Sequence, residues 1–492
     1  MTNGQSNKNN STISPMLGEH AIVIGGSMAG LLTARVLSDY FERVTIFEAD
    51  TLPDEPVPRK GVPQGAHAHG LMPGGADVLR KCFPGFHDDL VAAGAEYGDP
   101  TLNWRVYGGS RWTPRAESGL GTYVMSRPLL EAVVRKHTVA IANIELRDAS
   151  PVSGYTHSIR QAHGAGSTHS TREACGAGST SKDSNTVVTG VILEQSGETV
   201  AADFVADVSG RNSKAASWIE AMGFTPPQRS TVGIDVGYVT FEVAEPPNKQ
   251  RDWSVLVVNQ KDIPKDTRAG AIFYKEGGRY LVLATGFHKD YAPTDWPGFL
   301  AYMKALPFSS VYDEIKDLQP IGEAREYRFA SYLRRHYERL QNVPQRLVVL
   351  GDVICSFNPI YGQGITVAAK EAEHLDACLK QCLEGNDLDK VAQPFFKGAA
   401  KFIDAAWDGT TVEDFRYPQT RGDRPRGYGL SKWLNHKFFA LSGTDEEFSV
   451  AFFKVLSLVE PPASLLKPKY LFKALFAKMP EQDREPPSPP LK

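Results

Sequence analysis

One pattern occurs three times along the chain: a short apolar run, a turn rich in small or polar residues, and a stretch with helical periodicity. Its first occurrence is AIVIGGSMAGLLTARVLSDYFERVTIFEAD (21–50), where a second apolar run follows the helical stretch. The others are TVAADFVADVSGRNSKAASWIEAMGF (199–224) and RLVVLGDVICSFNPIYGQGITVAAKEAEHLDACL (346–379). Because neighbouring parallel strands need a crossover connection, these units predict a parallel sheet with helical crossovers.

Two further patterns lie between and after these units. VGIDVGYVTFEV (232–243) and GRYLVLATGF (278–287) alternate with period two, which is typical of antiparallel strands. From about residue 386 the periodicity is helical. We therefore predict an α/β fold with a discontinuous Rossmann-like nucleotide-binding domain, an inserted, mainly antiparallel β-sheet substrate domain and a C-terminal helical region. The predicted boundaries are 1–18 for a disordered tail, 19–95, 190–222 and 340–385 for the nucleotide-binding domain, 96–189 and 223–339 for the substrate domain, and 386–492 for the helical region.

Two segments have a less direct interpretation. Residues 161–184 contain GAGST twice and few apolar residues, so we predict a disordered loop between two strands. In the helical region, SVAFFKVLSLV (449–459) and YLFKALFAK (470–478) are amphipathic. We interpret them as a cap packed on the other domains, and an interfacial membrane helix is the alternative, because the two have the same pattern.

Composition and charge exclude several classes of protein. The 492 residues include 54 Lys and Arg against 57 Asp and Glu, so no general attraction for nucleic acid is expected. Five scattered cysteines without a C-x-x-C pair fit a reducing cytosol, so we predict a cytoplasmic protein without a bound metal. No apolar run reaches the length of about 18 residues expected of a membrane-spanning helix.

The first turn, GGSMAG, has two interpretations. It is close to the G-x-S-x-G elbow that exposes a hydrolase nucleophile, which would make Ser27 catalytic. It is also close to the dinucleotide fingerprint G-x-G-x-x-G, with Ser27 at the middle glycine position and Glu48 where the ribose-binding acid belongs. Only one strand can precede Ser27, and no oxyanion segment lies upstream, so we favour the fingerprint.

The two later turns identify the nucleotide. RLVVLGDVICSFNPIYGQG resembles the GD motif of the para-hydroxybenzoate-hydroxylase-like FAD-dependent monooxygenases, and ADFVADVSGRNS resembles their DG-type motif. YVMSRPLLEAVVRKH resembles the segment whose arginine, here Arg127, contacts the cofactor. Within that group the sequence is most similar to epoxidases of polyketide polyenes that are related to styrene monooxygenase, through PRKGVPQGAHAHGL, SRPLLE, GDVICSFNPIYGQG and PQTRGDRP.

The resemblance implies a set of site residues. Asp352 would bind ribityl hydroxyls, the glycines after Pro359 would let backbone N–H groups approach the flavin ring, and the helix N-terminus would stabilise negative charge there. His67 and His69 lie in a segment that the resemblance places near the ring, and Tyr361 faces it; for each of these three, a surface or packing role is the alternative. The implied FAD-binding residues are Gly25, Gly26, Ser27, Ala29, Gly30, Glu48, Arg59, Arg127, Asp207, Gly351, Asp352, Pro359, Gly362, Gly364 and Ile365, and the catalytic candidates are Tyr361, His67 and His69.

The resemblance also implies a reaction. Bound FAD would form a flavin hydroperoxide with O2 and transfer one oxygen atom to a small apolar alkene or aromatic compound, by epoxidation or hydroxylation. No second dinucleotide fingerprint is visible, so NAD(P)H that binds transiently and reduced flavin from a partner reductase are both expected as electron sources.

Other functions remain open from the sequence. One alternative is an FAD-dependent reductase or dehydrogenase of the geranylgeranyl-reductase type, and another is a flavin-binding protein without turnover. A flavin-dependent halogenase is disfavoured because its W-x-W-x-I-P segment is absent and the tryptophans stand singly.

Overall fold

The computed structural model of the chain describes residues 16–108, 111–160, 185–247 and 251–477. It confirms the predicted α/β fold, with a parallel sheet, antiparallel sheets and C-terminal helices. The predicted loop at 161–184, most of the predicted tail at 1–18 and the last residues, 478–492, lie outside the described residues.

A five-stranded parallel sheet forms the first layer. Its strand order is β17-β11-β1-β2-β7, so the carboxyl ends of all five strands lie at one edge. The central strands β1, β11 and β17 are mostly apolar and buried, because helices cover one face of the sheet and the antiparallel sheet β10-β9-β8 packs near the other. The elements are β1 (Gly18–Ile24), β2 (Phe41–Phe47), β7 (Ile144–Arg147), β8 (Val152–Ile159), β9 (Thr186–Leu193), β10 (Thr199–Ala201), β11 (Phe204–Asp207), β17 (Leu347–Val349), α1 (Met28–Leu37), α5 (Arg127–Val139), α6 (Ala215–Ala221) and α9 (Gly364–Gly385).

The structure departs from the predicted domain boundaries in the segment 96–189 among others. We assigned residues 96–189 to the substrate domain, but β7 pairs with β2 in the parallel sheet, and α5 packs against α1. The strand is only four residues long, IELR, and alternates apolar and polar residues. Four residues are too few for a periodicity that would indicate parallel pairing. The position of β7 in the sheet follows from the packing of the preceding helix, α5, against α1.

An eight-stranded sheet forms the second layer, in the order β18-β16-β12-β15-β14-β13-β4-β5. One face packs against α7 and α8, through an apolar cluster that includes Phe241, Ile272 and Phe299. Its other face is turned toward the parallel sheet's carboxyl edge. The elements are β4 (Trp104–Gly108), β5 (Arg111–Trp112), β12 (Arg229–Ala244), β13 (Val255–Val258), β14 (Arg268–Lys275), β15 (Arg279–Gly286), β16 (Arg325–Arg335), β18 (Cys355–Ser356), α7 (Trp296–Lys304) and α8 (Ser310–Ile315).

The C-terminal helices close the space between the two layers. α10 packs beside α9, and α11, α12 and α13 form a separate small core around Phe438, Phe448 and Tyr470. In the described part of the chain, no helix has an apolar stretch long enough to cross a bilayer. The remaining elements are α2 (Pro73–Cys82), α3 (Phe86–Ala92), β3 (Glu96–Gly98), α4 (Pro100–Asn103), β6 (Thr122–Val124), α10 (Ala392–Asp414), α11 (Tyr428–Ser442), α12 (Glu446–Leu456) and α13 (Pro468–Phe476).

Candidate functional site

A single cavity of about 1410 Å³ runs from the carboxyl edge of the parallel sheet, along the open face of the eight-stranded sheet, to the C-terminal helices. It brings together residues that are more than three hundred positions apart in sequence. The predicted site residues that line it are Gly25, Ser27, Ala29, Glu48, Arg59, His67, His69, Arg127, Gly351, Asp352, Pro359, Tyr361, Gly362, Gly364 and Ile365.

The turn between β1 and α1 is tight for a steric reason. Gly25 has a φ of 109°, and a Cβ there would lie 2.6 Å from the carbonyl oxygen of Val208. A Cβ at Gly30 would collide with the carbonyl oxygen of Gly25, so this glycine serves helix packing and does not line the cavity. α1 has no acidic residue in its first turn and no side-chain cap, which leaves its first N–H groups available to an anion.

Ser27 belongs to an ionic network and not to a nucleophile arrangement. Its hydroxyl donates to Glu131 Oε2 at 2.8 Å and accepts from Arg127 Nη2 at 2.9 Å. Among the described residues no histidine contacts it, and its carboxylate partner Glu131 is paired with two arginines that lower its pKa, which makes it a weak base for a catalytic serine. Ser126 caps α5 by accepting a hydrogen bond from the Leu129 N–H, so the helix begins at Arg127. Arg127 and Glu131 are four residues apart and therefore lie on the same face of the helix.

Glu131 joins two buried arginines. Its carboxylate lies 2.7 Å from Arg127 Nη2 and 2.8 Å from Arg59 Nε. Burial raises its pKa, but Arg127 and Arg59 more than offset that effect and hold the pKa below its ordinary value. Arg127 Nη1 is buried with no hydrogen-bond partner in the described chain. The network therefore leaves one guanidinium nitrogen of Arg127, a residue that lines the cavity, without an acceptor among the described residues.

Glu48 extends this network beyond Arg59 to the backbone of the β1–α1 turn. Its carboxylate accepts the N–H of Gly26 at 2.7 Å and that of Asp50 at 2.9 Å, and Arg59 Nη1 lies 3.4 Å away. Gly26 does not line the cavity, because its N–H is directed at Glu48. A carboxylate has about four lone pairs, and the two contacts from Arg59 are long, at 3.4 and 3.5 Å, so a ribose hydroxyl could replace them as a partner of Glu48.

Asp207 has a different role from the one that the resemblance implied. It is fully buried, does not line the cavity, and accepts hydrogen bonds from Tyr155, Ser209 and Ser213. Burial raises its pKa. Three hydroxyl groups satisfy the carboxylate, so the structure assigns Asp207 to holding the turn after β11 and not to cofactor contact.

The GD turn after β17 presents a free carboxylate. Asp352 lines the cavity, and no described residue hydrogen-bonds to its side chain. Burial raises its pKa to about 6, although Arg211 and Arg335 lower it. Behind it Glu371 is fully buried and accepts the Gly351 N–H at 2.6 Å. Burial raises the pKa of Glu371 to about 8, which makes this carboxyl neutral at pH 7.

The loop before α9 is fixed from the C-terminal region by a residue that sequence reasoning missed. Asp414, in the last turn of α10, accepts hydrogen bonds from Asn358 Nδ2 at 3.1 and 3.2 Å and from the Tyr361 hydroxyl at 3.3 Å. Burial raises the pKa of Asp414 to about 7. In the sequence, Asp414 is only an acidic residue in a segment with helical periodicity. Its partners lie over fifty residues away, so no local pattern indicates its role. The loop leads to Gly364, where α9 begins with open space in front of it.

Both candidate histidines are held in the neutral form. Burial lowers the pKa of His67 to about 4, and burial with Arg127 nearby lowers that of His69 to about 4. His67 Nδ1 lies 2.8 Å from Thr240 Oγ1, and its ring is 6.1 Å from Tyr238 and 5.8 Å from Tyr327. At neutral pH these histidines can share hydrogen bonds but carry no charge.

The open face of the eight-stranded sheet gives the cavity an apolar wall. Tyr238 pairs with Tyr327 and Thr285 across neighbouring strands, so the three side chains form one row facing the cavity. The next row is small and apolar, with Leu283, Ala271, Val257 and Val106. Phe273 and Phe287 also line the cavity. The far end is lined by Leu434, Phe438, Phe439, Phe452, Phe453, Val455, Leu456 and Leu465.

The buried carboxyl of Glu371 predicts a pH dependence of stability. Its folded pKa of about 8 lies above its ordinary value of 4.5, so the folded protein keeps a proton that the unfolded chain releases. Stability should therefore fall as pH rises toward 8 and then level off. We expect the melting temperature of Glu371→Gln apoprotein to decline less than that of the wild type between pH 6 and 8.5. Glu384→Gln, an exposed change on the same helix, is the control; equal declines in all three proteins would contradict a protonated Glu371.

Comparisons with known proteins agree with the fold. No protein-family model matches the chain. It is 28% identical over 457 residues to Protein Rv3254 of Mycobacterium tuberculosis (strain ATCC 25618 / H37Rv), covering 90% of each chain. Its structure is similar to that of the flavin-dependent brominase Bmp2, with a TM-score of 0.59, 13% identity and coverage of 93% of this chain and 98% of that chain. It is also similar to p-nitrophenol 4-monooxygenase PnpA from Pseudomonas putida DLL-E4, with a TM-score of 0.57, 16% identity and coverage of 89% and 98%. The chain therefore has the fold of these flavin-dependent and monooxygenase structures.

Proposed function

We propose that the protein is an FAD-dependent monooxygenase that inserts one oxygen atom from O2 into an apolar alkene or aromatic substrate. The observation that carries this proposal is the single cavity, which joins a dinucleotide-type turn and a free carboxylate to a large apolar wall. A fold shared with a flavin-dependent brominase and a monooxygenase supports it.

The polar half of the cavity fits FAD. The unpartnered Nη1 of Arg127 and the uncapped N-terminus of α1 would bind the pyrophosphate, and Glu48 would accept hydrogen bonds from the adenosine ribose. Asp352, which has no hydrogen-bond partner among the described residues, would accept hydrogen bonds from ribityl hydroxyls. Pro359, Gly362, Gly364 and Ile365 would lie along the flavin ring.

The protein's own contribution is orientation, charge and exclusion of water. Bound FAD, once reduced, supplies the reaction with O2 and the transfer of an oxygen atom. The N-terminus of α9, which has no acidic residue in its first turn, stabilises negative charge next to it. Asp414 holds the loop in front of that helix through Asn358 and Tyr361. The phenylalanines of α11 and α12 make the far end apolar, which disfavours water there.

The apolar wall favours an extended hydrocarbon-like substrate. Between the two halves lie the hydroxyl of Tyr238 and the rings of His67 and Tyr327, and the Tyr238 hydroxyl is buried without a hydrogen-bond partner in the described residues. This hydroxyl would hydrogen-bond to an oxygen function of the substrate near its reacting carbon. Because the sequence resembles polyene epoxidases, we favour epoxidation over hydroxylation as the reaction.

The proposal is tested with purified protein reconstituted with FAD. With NADPH or with a separate flavin reductase as the electron source, we expect O2 consumption that rises on addition of a conjugated polyene, and a product heavier by one oxygen atom. Label from ¹⁸O2 should appear in that product. A reduced substrate formed without O2 would establish the reductase alternative. A stable yellow protein that neither electron source reduces would establish a non-catalytic flavin-binding protein.

A further inference from the structure

Large exposed apolar side chains are concentrated on the C-terminal helices. Half of all those exposed in the described chain fall between residues 430 and 476. On α13, Phe472 is 65% and Phe476 69% exposed, and on α11 Leu430 is 70% exposed. Several large apolar side chains exposed close together are typical of an interaction site.

The exposed side chains of the two helices form one surface. Leu430, Trp433 and Lys437 lie three and four residues apart on α11 and therefore share a face. Lys437 Nζ donates to the carbonyl oxygen of Ala477 at 2.7 Å, so this face of α11 lies beside the C-terminal end of α13. The apolar surface, defined as Leu430, Trp433, Leu466, Phe472, Leu475 and Phe476, is exposed on these helices and on the turn that precedes α13.

The C-terminal segment that carries the apolar surface has a basic composition, although the whole chain is slightly acidic. Residues 416–477 contain ten Lys and Arg against five Asp and Glu, whereas the whole chain has a net charge of -3. Lys432 and Lys467 are exposed, and in the described chain neither has a carboxylate within ion-pair distance. Basic residues that border an exposed apolar helix face complement an anionic lipid surface.

The apolar surface is continuous with the cavity. Leu466 is 48% exposed and at the same time lines the cavity, together with Leu434 and Leu465. An apolar molecule that left a bilayer at this surface would reach the cavity wall without crossing water.

We propose that the apolar surface docks on anionic phospholipid membranes and that the apolar substrate enters the cavity from the membrane. The entry of substrate rests on the proposed function; the docking does not. A second copy of the chain is a poorer occupant, because a twofold interface would bring two copies of the same basic segment together. Residues 478–492 are also poorly suited to cover it, since Met479 and Leu491 are their only large apolar residues.

Vesicle flotation with the full-length protein tests the docking. We expect the protein to float with phosphatidylcholine vesicles that contain phosphatidylglycerol, to bind pure phosphatidylcholine vesicles much more weakly, and to dissociate in high salt. The double variant Phe472→Ser/Phe476→Ser and the charge reversal Lys432→Glu/Lys467→Glu should each lower the bound fraction by at least about tenfold. Ile321→Ser, a change at an exposed apolar residue elsewhere, should bind as the wild type does.

Other outcomes overturn the proposal. Equal binding of the wild type and the Phe472→Ser/Phe476→Ser variant, with unchanged circular dichroism, would show that the apolar surface does not meet lipid. A dimer in sedimentation velocity that this variant dissolves would identify a second copy as the occupant. None of these readouts depends on FAD or on turnover, so a failed oxygenation assay leaves the docking result intact.

Discussion

Replacing Glu131 with alanine is expected to destabilise the apoprotein by about 3–5 kcal/mol, because the change leaves the buried guanidinium of Arg127 without a carboxylate among the described residues, whereas Arg59 keeps Asp50 and Glu48. Added FAD should narrow the difference from the wild type, since its pyrophosphate would bring negative charge to Arg127. Chemical denaturation of the wild type and the variant, each without and with FAD, measures the difference in unfolding free energy in both states. If FAD instead increases the stability difference between the wild type and Glu131→Ala, the pyrophosphate does not bind at Arg127.

Two milder variants serve as controls for this experiment. Glu131→Gln keeps an acceptor oxygen but removes the charge, so it separates electrostatic from packing effects. Ser27→Gly removes one hydroxyl that contacts Glu131 and restores the usual glycine of the fingerprint. We expect Ser27→Gly to keep turnover and to change FAD affinity only modestly. Complete loss of turnover with FAD still bound would return Ser27 to the role of a catalytic serine.

Replacing Asp352 with alanine is expected to weaken FAD binding by about 10- to 100-fold, the loss of roughly 1.5–3 kcal/mol for hydrogen bonds to a charged acceptor. The apoprotein should at the same time be as stable as the wild type or more stable at pH 8. Its carboxylate lines the cavity without a hydrogen-bond partner in the described chain, and desolvation by the surrounding protein raises its pKa to about 6, so ionising it is unfavourable in the folded protein.

Fluorescence titration of FAD and thermal denaturation at pH 8 measure these two effects. Asp352→Asn keeps an acceptor oxygen and should lose less affinity than Asp352→Ala. The wild-type affinity should also fall as pH drops through about 6, where the carboxyl becomes protonated. Unchanged FAD affinity in Asp352→Ala would contradict the proposed ribityl contact.

The sequence predicted a parallel sheet, an inserted mainly antiparallel sheet, and the residues of the cavity-lining turns after β1 and β17. These features depend on residues that are close together along the chain. The fingerprint needs glycines at fixed spacing beside one strand, and the alternation of β12 and β15 follows from strand geometry. Asp207 shows the limit of such reasoning. A motif position gives the residue type at the end of β11, but the hydroxyl of Tyr155, fifty-two residues earlier, determines where its carboxylate is directed.

By itself, the sequence determined the α/β fold, the order of its βα units and the residue types at their turns, since backbone conformation and hydrophobic periodicity are set by neighbours along the chain. Only the tertiary structure decided that Ser27 lies between Arg127 and Glu131, that Asp414 fixes the loop before α9, and that β7 belongs to the parallel sheet. Each of these depends on segments distant in sequence, whose contacts form only when the layers pack.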